Sequence, residues 1–176
     1  MTTTAEYLKT LIRDIPDFPR PGILFRDITT LLKEPGGLRK AVEAMLAPFA
    51  DTQLDLIAGI ESRGFILAAP MAVQRGCGLV LIRKPGKLPA ATLSQEYQLE
   101  YGRDVVEIHR DAIQPGQRVL LVDDVLATGG TMAAAQQLVT GLGGEVAGIC
   151  FLVELLVLCG RTRLGADRVE SALQYA

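Results

Sequence analysis

Two adjacent aspartates lie between an apolar run and a loop with few side chains, in the stretch VLLVDDVLATGGTM. Asp123 and Asp124 follow a predicted strand at 119–122, and the loop at 127–131 leads into a predicted helix. Glycines let backbone N–H groups converge on one point, and the amino end of a helix favours an anion. No lysine follows the glycines as in a Walker loop, and the dinucleotide spacing G-x-G-x-x-G is absent there. The loop therefore predicts a phosphate site of another type.

The aspartate pair needs a role beside a bound phosphate, because two carboxylates alone would repel it. They can hold a magnesium ion, or they can accept hydrogen bonds from hydroxyl groups of the same ligand. A sugar phosphate carries such hydroxyl groups close to its phosphate, so the stretch suggests a ribose 5-phosphate site. A simpler interpretation, in which Asp123 and Asp124 only cap a turn, fits these residues equally well.

Apolar residues elsewhere alternate between the spacing of strands and the spacing of helices. Strands are predicted at 54–59, 79–82, 105–109, 119–122 and, as the last strand, 146–153; helices are predicted at 5–13, 38–50, 65–75 and 131–140. Residues 14–30 are predicted to be irregular, and 84–101 to contain no strong helix or strand. Apolar strands separated by helices predict an α/β fold with a mostly parallel sheet covered on both faces. Such sheets bind ligands at the carboxyl ends of their strands, where the aspartates are expected.

The composition favours a single globular domain over residues 1–176, with 49% hydrophobic and 22% charged residues. A net charge of −2 gives no basic excess that would indicate a nucleic-acid partner. The longest apolar run, 149–159, contains Glu154 and is too short to cross a bilayer, so no membrane partner is expected. Cys77, Cys150 and Cys159 are odd in number and fit no metal motif, which predicts free structural thiols and a cytoplasmic location.

The stretch VLLVDDVLATGGT resembles a motif of the type I phosphoribosyltransferases that binds 5-phospho-α-D-ribose 1-diphosphate (PRPP). Further segments narrow the resemblance to the adenine phosphoribosyltransferases: in chain order, PDFPRPGILFRDIT, GIESRGFIL, LIRKPGKLP, YQLEYG, FLVEL and LQY. The resemblance spans nearly the whole chain. It implies the type I phosphoribosyltransferase fold, with a small N-terminal hood at about 1–35 and a mobile flap at about 88–104. It also implies a homodimer that converts adenine and PRPP to AMP and diphosphate in purine salvage, with Mg²⁺.

The resemblance also implies roles for individual residues in binding PRPP. In the family the aspartate pair contacts the ribose hydroxyls and the following loop holds the 5-phosphate; the matching residues are Asp123, Asp124, Ala127, Thr128, Gly129, Gly130 and Thr131. Diphosphate binding is implied for Ser62, Arg63, Gly64, Arg83, Lys84 and Lys87. A cis peptide bond between Glu61 and Ser62 is implied as well. Mg²⁺ is expected to be held mainly through PRPP and water, and a direct protein ligand stays open.

Adenine binding is implied for the hood, where the matching residues are Phe18, Leu24 and Arg26, with Leu155 as a further apolar contact. Glu100, in LEYG, matches the general acid–base of the family, and a glutamate can accept the proton that adenine loses when the new bond forms. The roles of Tyr97 and Tyr101 stay open. Taken singly, each of these side chains also has a simpler interpretation, as a solvated charge or a packing residue.

Two other functions would keep the same phosphate motif. A phosphoribosyltransferase for another base, such as hypoxanthine, guanine or orotate, would differ in the hood and the flap. A regulator on the same fold would bind nucleotides and RNA without catalysis, but the near-neutral charge and the intact ESRG segment favour an enzyme. The segment LLVLCGRTRLGA, residues 155–166, is more apolar than the family pattern, which leaves its local packing open.

Overall fold

The computed structural model describes residues 3–98 and 102–176. Its helices are α1 (Thr4–Thr10), α2 (Thr29–Lys33), α3 (Gly37–Leu46), α4 (Arg63–Arg75) and α5 (Gly130–Gly141). Its strands are β1 (Arg13–Pro16), β2 (Leu24–Asp27), β3 (Leu56–Ile60), β4 (Gly78–Ile82), β5 (Thr92–Gln98), β6 (Arg103–His109), β7 (Arg118–Leu126), β8 (Glu145–Leu155) and β9 (Val169–Tyr175). Short 3₁₀ helices lie at Ala47–Phe49, Leu156–Leu158 and Gly160–Arg163.

Five parallel strands form the central sheet, in the order β4-β3-β7-β8-β9. Strand β7 has Leu120 and Val122 in the core beneath α1 to α4, and Val119 and Leu121 in the core beneath α5. Successive side chains of a strand point to opposite faces, so a continuously apolar strand needs a covering layer on each side. The predicted α/β fold, with a parallel sheet flanked by helices, is confirmed.

A two-stranded antiparallel hairpin, β1–β2, occupies the N-terminal segment for which the sequence predicts irregular backbone. Within 14–30 the prediction is wrong for the two strands and the start of α2, whereas the connection 17–23, which contains Pro19, Pro21 and Gly22, has no helix or strand. In that connection the Phe18–Pro19 peptide bond is cis, and Gly22 has a φ of +83°. The hood region is therefore a hairpin with α1 before it and α2 after it.

A second antiparallel hairpin is formed by β5 and β6, and β5 lies in the segment for which no strong element is predicted. Within 84–101 that prediction is wrong for Thr92–Gln98, the strand β5. Tyr97 is the one buried side chain of β5, so the strand lacks the apolar alternation from which a strand is usually predicted. Pairing with β6, rather than burial of its own side chains, stabilises β5.

The sheet also extends beyond the strand that the sequence predicts to be the last. β9 pairs in parallel with β8, and of its seven side chains Leu173 alone is buried, which gives too weak an apolar pattern to predict a strand. Helix α1 ends at Thr10 instead of continuing to Arg13, because Arg13 already belongs to β1. These differences leave the central strands β3, β7 and β8, which carry the candidate site, where the sequence predicts them.

Asp27, at the end of β2, links the hood hairpin to α2. It accepts hydrogen bonds from Arg13 Nη2 at 2.5 Å, from Thr29 N at 2.9 Å and from Thr29 Oγ1 at 2.8 Å. The Arg13 guanidinium first, and then the two Thr29 donors, lower the pKa of Asp27 to about 2. Because this folded-state pKa lies below the ordinary 3.8, the contribution to stability is present above pH 3.8 and is lost as the pH falls through about 2.

Asp27→Asn is expected to lower the free energy of unfolding at neutral pH by about 1 kcal/mol, a small loss because Arg13 is largely exposed. Urea denaturation of both proteins measures the difference between them, in which the titration of all other groups cancels. This difference is expected to be full above pH 3.8 and to vanish towards pH 2. A difference that stays constant over this range would contradict the role given to the Asp27 charge.

None of the helices that the structure describes is long and apolar enough to cross a bilayer. All three cysteines are free. Cys150 is buried, and burial raises the pKa of its thiol. Cys159 is exposed in the turn after β8, so the expected structural packing role is wrong for this thiol.

Candidate active site

A cavity of about 450 Å³ opens at the carboxyl ends of β3 and β7, between the sheet and the hood hairpin. Ten of the residues selected from the sequence line it: Leu24, Arg26, Ser62, Arg63, Lys84, Asp123, Asp124, Ala127, Thr131 and Leu155. A smaller cavity of about 80 Å³ adjoins it and is lined by the whole loop 127–131, including Thr128, Gly129 and Gly130. The two cavities share Asp123, Ala127 and Thr131, so they form one continuous site.

Strand β7 positions the two aspartates, and it is longer than the sequence predicts. It continues through both residues to Leu126, with Asp123 paired to Phe151 of β8, so the aspartates lie within the strand and not after it. Asp124 is only 5% exposed and forms an ion pair with Nε of Arg63. Asp123 Oδ1 accepts a hydrogen bond from the backbone N–H of Asp124 at 2.8 Å. The pair therefore holds two carboxylates rigidly at the cavity wall.

Burial raises the pKa of Asp123 well above its ordinary 3.8, and the neighbouring charge of Asp124 raises it further. The Arg63 guanidinium acts in the opposite direction, but less strongly. Two adjacent carboxylates in such a place need hydrogen-bond donors or positive charge from a ligand. A ligand with neighbouring hydroxyl groups supplies such donors.

The loop 127–131 presents its backbone to the smaller cavity at the start of α5. Gly129 caps this helix with a φ of +80°, a conformation that side chains disfavour. A Cβ on Gly129 would also lie less than 3.0 Å from the carbonyl oxygen of Gly160. The glycine is thus required twice, by its φ and by the close approach of a second loop. The free N–H groups and the dipole of α5 make this end of the helix suited to a phosphate.

The loop after β3 carries the residues that the resemblance assigns to diphosphate. The Glu61–Ser62 peptide bond is cis, which confirms that prediction. Ser62 and Arg63 line the cavity, whereas Gly64 lies behind it, against β7. A Cβ on Gly64 would lie 2.9 Å from the carbonyl oxygen of Val122 and 3.0 Å from Oδ1 of Asp123. Gly64 therefore lets α4 begin directly against the strand that carries the aspartates.

Of the three basic residues after β4, Lys84 alone is among the residues that line the cavity. Its Nζ donates to the Tyr97 hydroxyl at 2.9 Å and forms an ion pair with Asp104. Although burial by itself would lower the pKa of Lys84, the hydrogen bonds with Asp104 and Tyr97 raise it. Lys84 thus links the end of β4 to the β5–β6 hairpin.

Arg83 points to Glu61 instead of the cavity. Its Nε lies 3.1 Å from Glu61 Oε2 and its Nη2 lies 3.2 Å from Glu61 Oε1, while Nη1 donates to the carbonyl oxygen of Lys87 at 3.1 Å. Glu61 also accepts from the backbone N–H of Lys84 at 2.9 Å. In this structure Arg83 and the Lys87 backbone therefore support the loop that carries Ser62.

The hood hairpin covers the apolar side of the cavity. Leu24 and Arg26 line it together with Leu155 from the end of β8, but Phe18 does not. Phe18 packs edge-on against Phe25, with ring centroids 5.2 Å apart, and both line a neighbouring cavity of about 340 Å³. Phe25 also lines the main cavity, with the Arg63 guanidinium 5.7 Å from its ring centroid.

Six residues that line the cavity were not selected from the sequence: Ile23, Phe25, Ile60, Glu61, Tyr97 and Val125. Phe25 and Glu61 directly adjoin the selected residues Leu24 and Ser62 in the chain, whereas Tyr97 has no selected neighbour and belongs to β5, which is held by its pairing with β6. Glu100, the candidate general acid–base, lies outside the described residues, as does Tyr101.

Within residues 3–98 and 102–176, no group of three His, Cys, Asp or Glu side chains is arranged to hold a metal ion. Three carboxylates of the described residues line the cavity: Glu61 is held by Arg83, Asp124 is paired with Arg63, and Asp123 has no ion pair with a described basic side chain. In nucleotide sites Mg²⁺ is commonly bound by substrate phosphates, water and one or two carboxylates. These residues fit an ion that is carried largely by a phosphate ligand.

Comparison with known proteins agrees with this geometry. The family model of the phosphoribosyl transferase domain matches residues 28–169. A curated relative from Acaryochloris marina, an adenine phosphoribosyltransferase, is 55% identical over 168 residues, covering 96% of this chain and 99% of the relative.

Solved structures of adenine phosphoribosyltransferases superimpose closely on this fold. The adenine phosphoribosyltransferase of Rhodothermus marinus is 53% identical, with a TM-score of 0.94 over 99% of this chain and 100% of that one. The enzyme of Saccharomyces cerevisiae, solved with an imino-altritol bisphosphate and adenine, is 38% identical, with a TM-score of 0.92 over 98% and 100%. The chain therefore belongs to the phosphoribosyl transferase family and, within it, to the adenine phosphoribosyltransferases.

Proposed function

We propose that the protein is a pentosyltransferase that converts adenine and PRPP to AMP and diphosphate in purine salvage. One observation carries the proposal: the aspartate pair, the glycine loop at the start of α5 and the apolar hood meet in one continuous site at the carboxyl ends of β3 and β7. A charged sugar phosphate and a flat apolar base together need such a combination of walls.

The ribose 5-phosphate part of PRPP is assigned to β7 and the loop that follows it. Asp123 and Asp124 accept hydrogen bonds from the ribose hydroxyls, and the backbone of Ala127, Thr128, Gly129 and Gly130, with Thr131, holds the 5-phosphate. The support is the small cavity that this loop lines and its position at the amino end of α5. The buried carboxylates also stabilise positive charge that builds on the ribose as diphosphate leaves.

Diphosphate is assigned to Ser62, Arg63 and Lys84, which line the cavity, with Gly64 as the residue that brings α4 close to β7. Arg63 is paired with Asp124, and its side chain is 44% exposed, so it can turn towards a ligand phosphate once ribose hydroxyls take its place on Asp124. Arg83 and Lys87 are proposed to contribute positive charge from behind this loop. Bound Mg²⁺ would neutralise part of the diphosphate charge and would be held mainly through PRPP and water, with Asp123 and Asp124 as the carboxylates available to it.

Adenine is assigned to the space between the hood and the end of β8, where Leu24 and Leu155 provide apolar faces and Arg26 lies beside them. Phe18 is proposed to act indirectly, by packing behind Phe25. Backbone groups of the hood that pair with the exocyclic amine of adenine would reject hypoxanthine, since its oxo group reverses the direction of that hydrogen bond.

Glu100 is proposed to accept the proton that adenine loses as its ring nitrogen bonds to the ribose carbon. The support is its match in the segment LEYG, since the residue lies outside the described part of the chain. Glu100→Ala is expected to lower turnover by about a hundredfold and to leave PRPP binding nearly unchanged. Steady-state kinetics and calorimetric titration with PRPP separate the two effects, and unchanged turnover would remove Glu100 from the mechanism.

We also propose that residues 1–176 act as one domain with a hood at about 1–35 and a mobile flap at about 88–104, in a cytoplasmic homodimer. The β5–β6 hairpin, tied to the site through Lys84, supports the position of the flap. Exposed apolar residues support the dimer: Val73 on α4, and Leu79 and Leu81 on the edge strand β4, are large apolar side chains that solvent reaches.

The test is AMP formation from adenine and PRPP with Mg²⁺, measured beside the same reaction with hypoxanthine, guanine and orotate. Turnover that is selective for adenine is expected. Preference for another base would assign the protein to a different phosphoribosyltransferase activity. Nucleotide or RNA binding without turnover of any base would point to a regulator on this fold.

A further inference from the structure

A second loop, the turn 159–163, packs directly against the phosphate loop 127–131. The contact is between backbones: a Cβ on Gly160 would lie less than 3.0 Å from the carbonyl oxygen of Ala127, and a Cβ on Gly129 would clash in return with the carbonyl oxygen of Gly160. The phosphate loop has few side chains of its own with which to fix its shape. The directions of its N–H groups therefore depend on what packs behind it.

An ion pair between Glu154 and Arg161 holds the turn 159–163 in place. Glu154 lies near the end of β8, only 3% exposed, and pairs with Leu126 of β7, the residue immediately before the phosphate loop. The Arg161 guanidinium donates to both carboxylate oxygens of Glu154, with Nε 2.5 Å from Oε1 and Nη2 2.7 Å from Oε2. A planar guanidinium that binds both carboxylate oxygens fixes orientation as well as distance.

The remaining polar atoms of this pair are also occupied. Arg161 Nη1 donates to the carbonyl oxygen of Val169 at 2.6 Å and Nη2 to Ser171 Oγ at 3.2 Å, while Gln174 Nε2 donates to Glu154 Oε2 at 3.1 Å. The turn is thus tied to β8 and β9 at once. The Arg161 hydrogen bonds contribute most to keeping the pKa of Glu154 below its ordinary value, so the pair stays charged at neutral pH.

We propose that Glu154 and Arg161 are positioning residues for the 5-phosphate: through Gly160 they set the conformation of the phosphate loop, without touching substrate themselves. Neither side chain lines either cavity of the site. The proposal rests on the proposed function, since it names the group whose binding the pair controls. A buried ion pair is weak as a source of stability alone, because apolar residues can replace such pairs without loss. Glu154 is instead connected to the site on two sides, since it pairs with Leu126 just before the phosphate loop and directly precedes Leu155, which lines the cavity.

The test compares Glu154→Gln and Arg161→Lys with Arg118→Gln as a matched control. Arg118 also forms a forked pair, with Nε 3.0 Å from Asp55 Oδ2 and Nη2 3.0 Å from Asp55 Oδ1. This pair lies at the amino ends of the strands, at the end of the sheet opposite to the site. Loss of this pair, whose carboxylate is more exposed than Glu154, removes a forked contact without disturbing the phosphate loop. Arg161→Lys keeps the charge and loses the fork, so it separates orientation from charge.

Both site variants are expected to raise KM for PRPP and the dissociation constant of ribose 5-phosphate by about tenfold or more, because small misplacements of binding groups have large effects. The dissociation constant of adenine, which has no phosphate, is expected to change less than the ribose 5-phosphate constant. Arg118→Gln is expected to leave all three values as in the wild type. Calorimetric titration with ribose 5-phosphate and with adenine provides the binding constants, and circular dichroism verifies that each variant is folded.

The possible failures are distinguishable. If wild-type protein binds ribose 5-phosphate but does not turn over adenine, the proposed function fails and the titrations still test the positioning role. If Glu154→Gln does not fold, the dissociation constants of Arg161→Lys for ribose 5-phosphate and adenine test the positioning role. Site variants that bind ribose 5-phosphate as well as Arg118→Gln does, or that lose adenine and ribose 5-phosphate equally, would overturn the proposal, since a purely structural pair would behave in that way.

Discussion

Asp124→Asn is expected to lower kcat/KM for PRPP by about 10²–10³-fold, the range observed when a preorganised electrostatic contact to a transition state is removed. Asparagine keeps the shape of the side chain, but its amide nitrogen cannot accept a hydrogen bond from a ribose hydroxyl. The substitution also removes a buried negative charge that balances Arg63 and would face a ribose ring becoming positive. Binding of adenine alone, in the hood, is expected to be nearly unaffected.

The matched control for this prediction is Asp55→Asn. Asp55 is likewise paired with an arginine, Arg118, and carries a pKa lowered to about 2 by that side chain, but it lies at the amino ends of the strands. Steady-state kinetics with varied PRPP should place Asp55→Asn close to the wild type. If Asp124→Asn retains wild-type kcat/KM, Asp124 does not contact the ribose and serves only to hold Arg63.

Gly129→Ala is expected to weaken AMP binding by about a thousandfold. The alanine must either clash with the carbonyl oxygen of Gly160 or move the loop, and its φ of +80° is unfavourable as well. Moving the loop turns its N–H groups away from the phosphate. The loss of two hydrogen bonds to a charged group, at about 1.5–3 kcal/mol each, corresponds to roughly this factor.

Gly116→Ala separates the cost of the backbone conformation from the loss of the site. Gly116 has nearly the same φ, +81°, but a Cβ there meets no atom within 4 Å, and the residue lies in the turn before β7. Both variants should lose about 1 kcal/mol of stability from the positive φ. Calorimetric titration with AMP should show the large loss of affinity in Gly129→Ala alone; an equal effect in both, or in neither, would contradict the phosphate role of the loop.

The aspartates and the phosphate loop could be located from the sequence because they are contiguous. Their residue types, the glycines and the apolar strand before them stand within fourteen positions, so local physical chemistry is enough to suggest a phosphate and its hydroxyl-bearing neighbour. By itself the stretch does not exclude that the two aspartates only cap a turn. The wall of the cavity at Asp124 depends on Arg63, which lies 61 residues earlier.

Contacts between distant segments could not be predicted in this way. Arg83 carries the charge expected near diphosphate, but its partner is Glu61, and nothing in either segment alone specifies that pairing. The same limit applies to the Glu154–Arg161 pair, whose importance follows from the packing of Gly160 on the phosphate loop. A charge pattern predicts the kind of ligand, whereas only the fold determines which charges face it.

The elements with weak apolar patterns show a related limit. β3, β7 and β8 each contain a continuous apolar run that is buried on both faces, and the sequence predicts each of them. β5 and β9 each have only one buried side chain and exist because a neighbouring strand pairs with them. Strand pairing is a tertiary interaction, so periodicity along the chain carries little information about such strands.

The most direct test of the central claim is the stoichiometry of the reaction. Wild-type protein, adenine, PRPP and Mg²⁺ are incubated together, and the AMP and the diphosphate that form are both quantified. Equal amounts of AMP and diphosphate are expected, because transfer of the phosphoribosyl group to adenine releases one diphosphate for each AMP. Release of diphosphate without AMP, or formation of neither product, would contradict the proposed transfer to adenine.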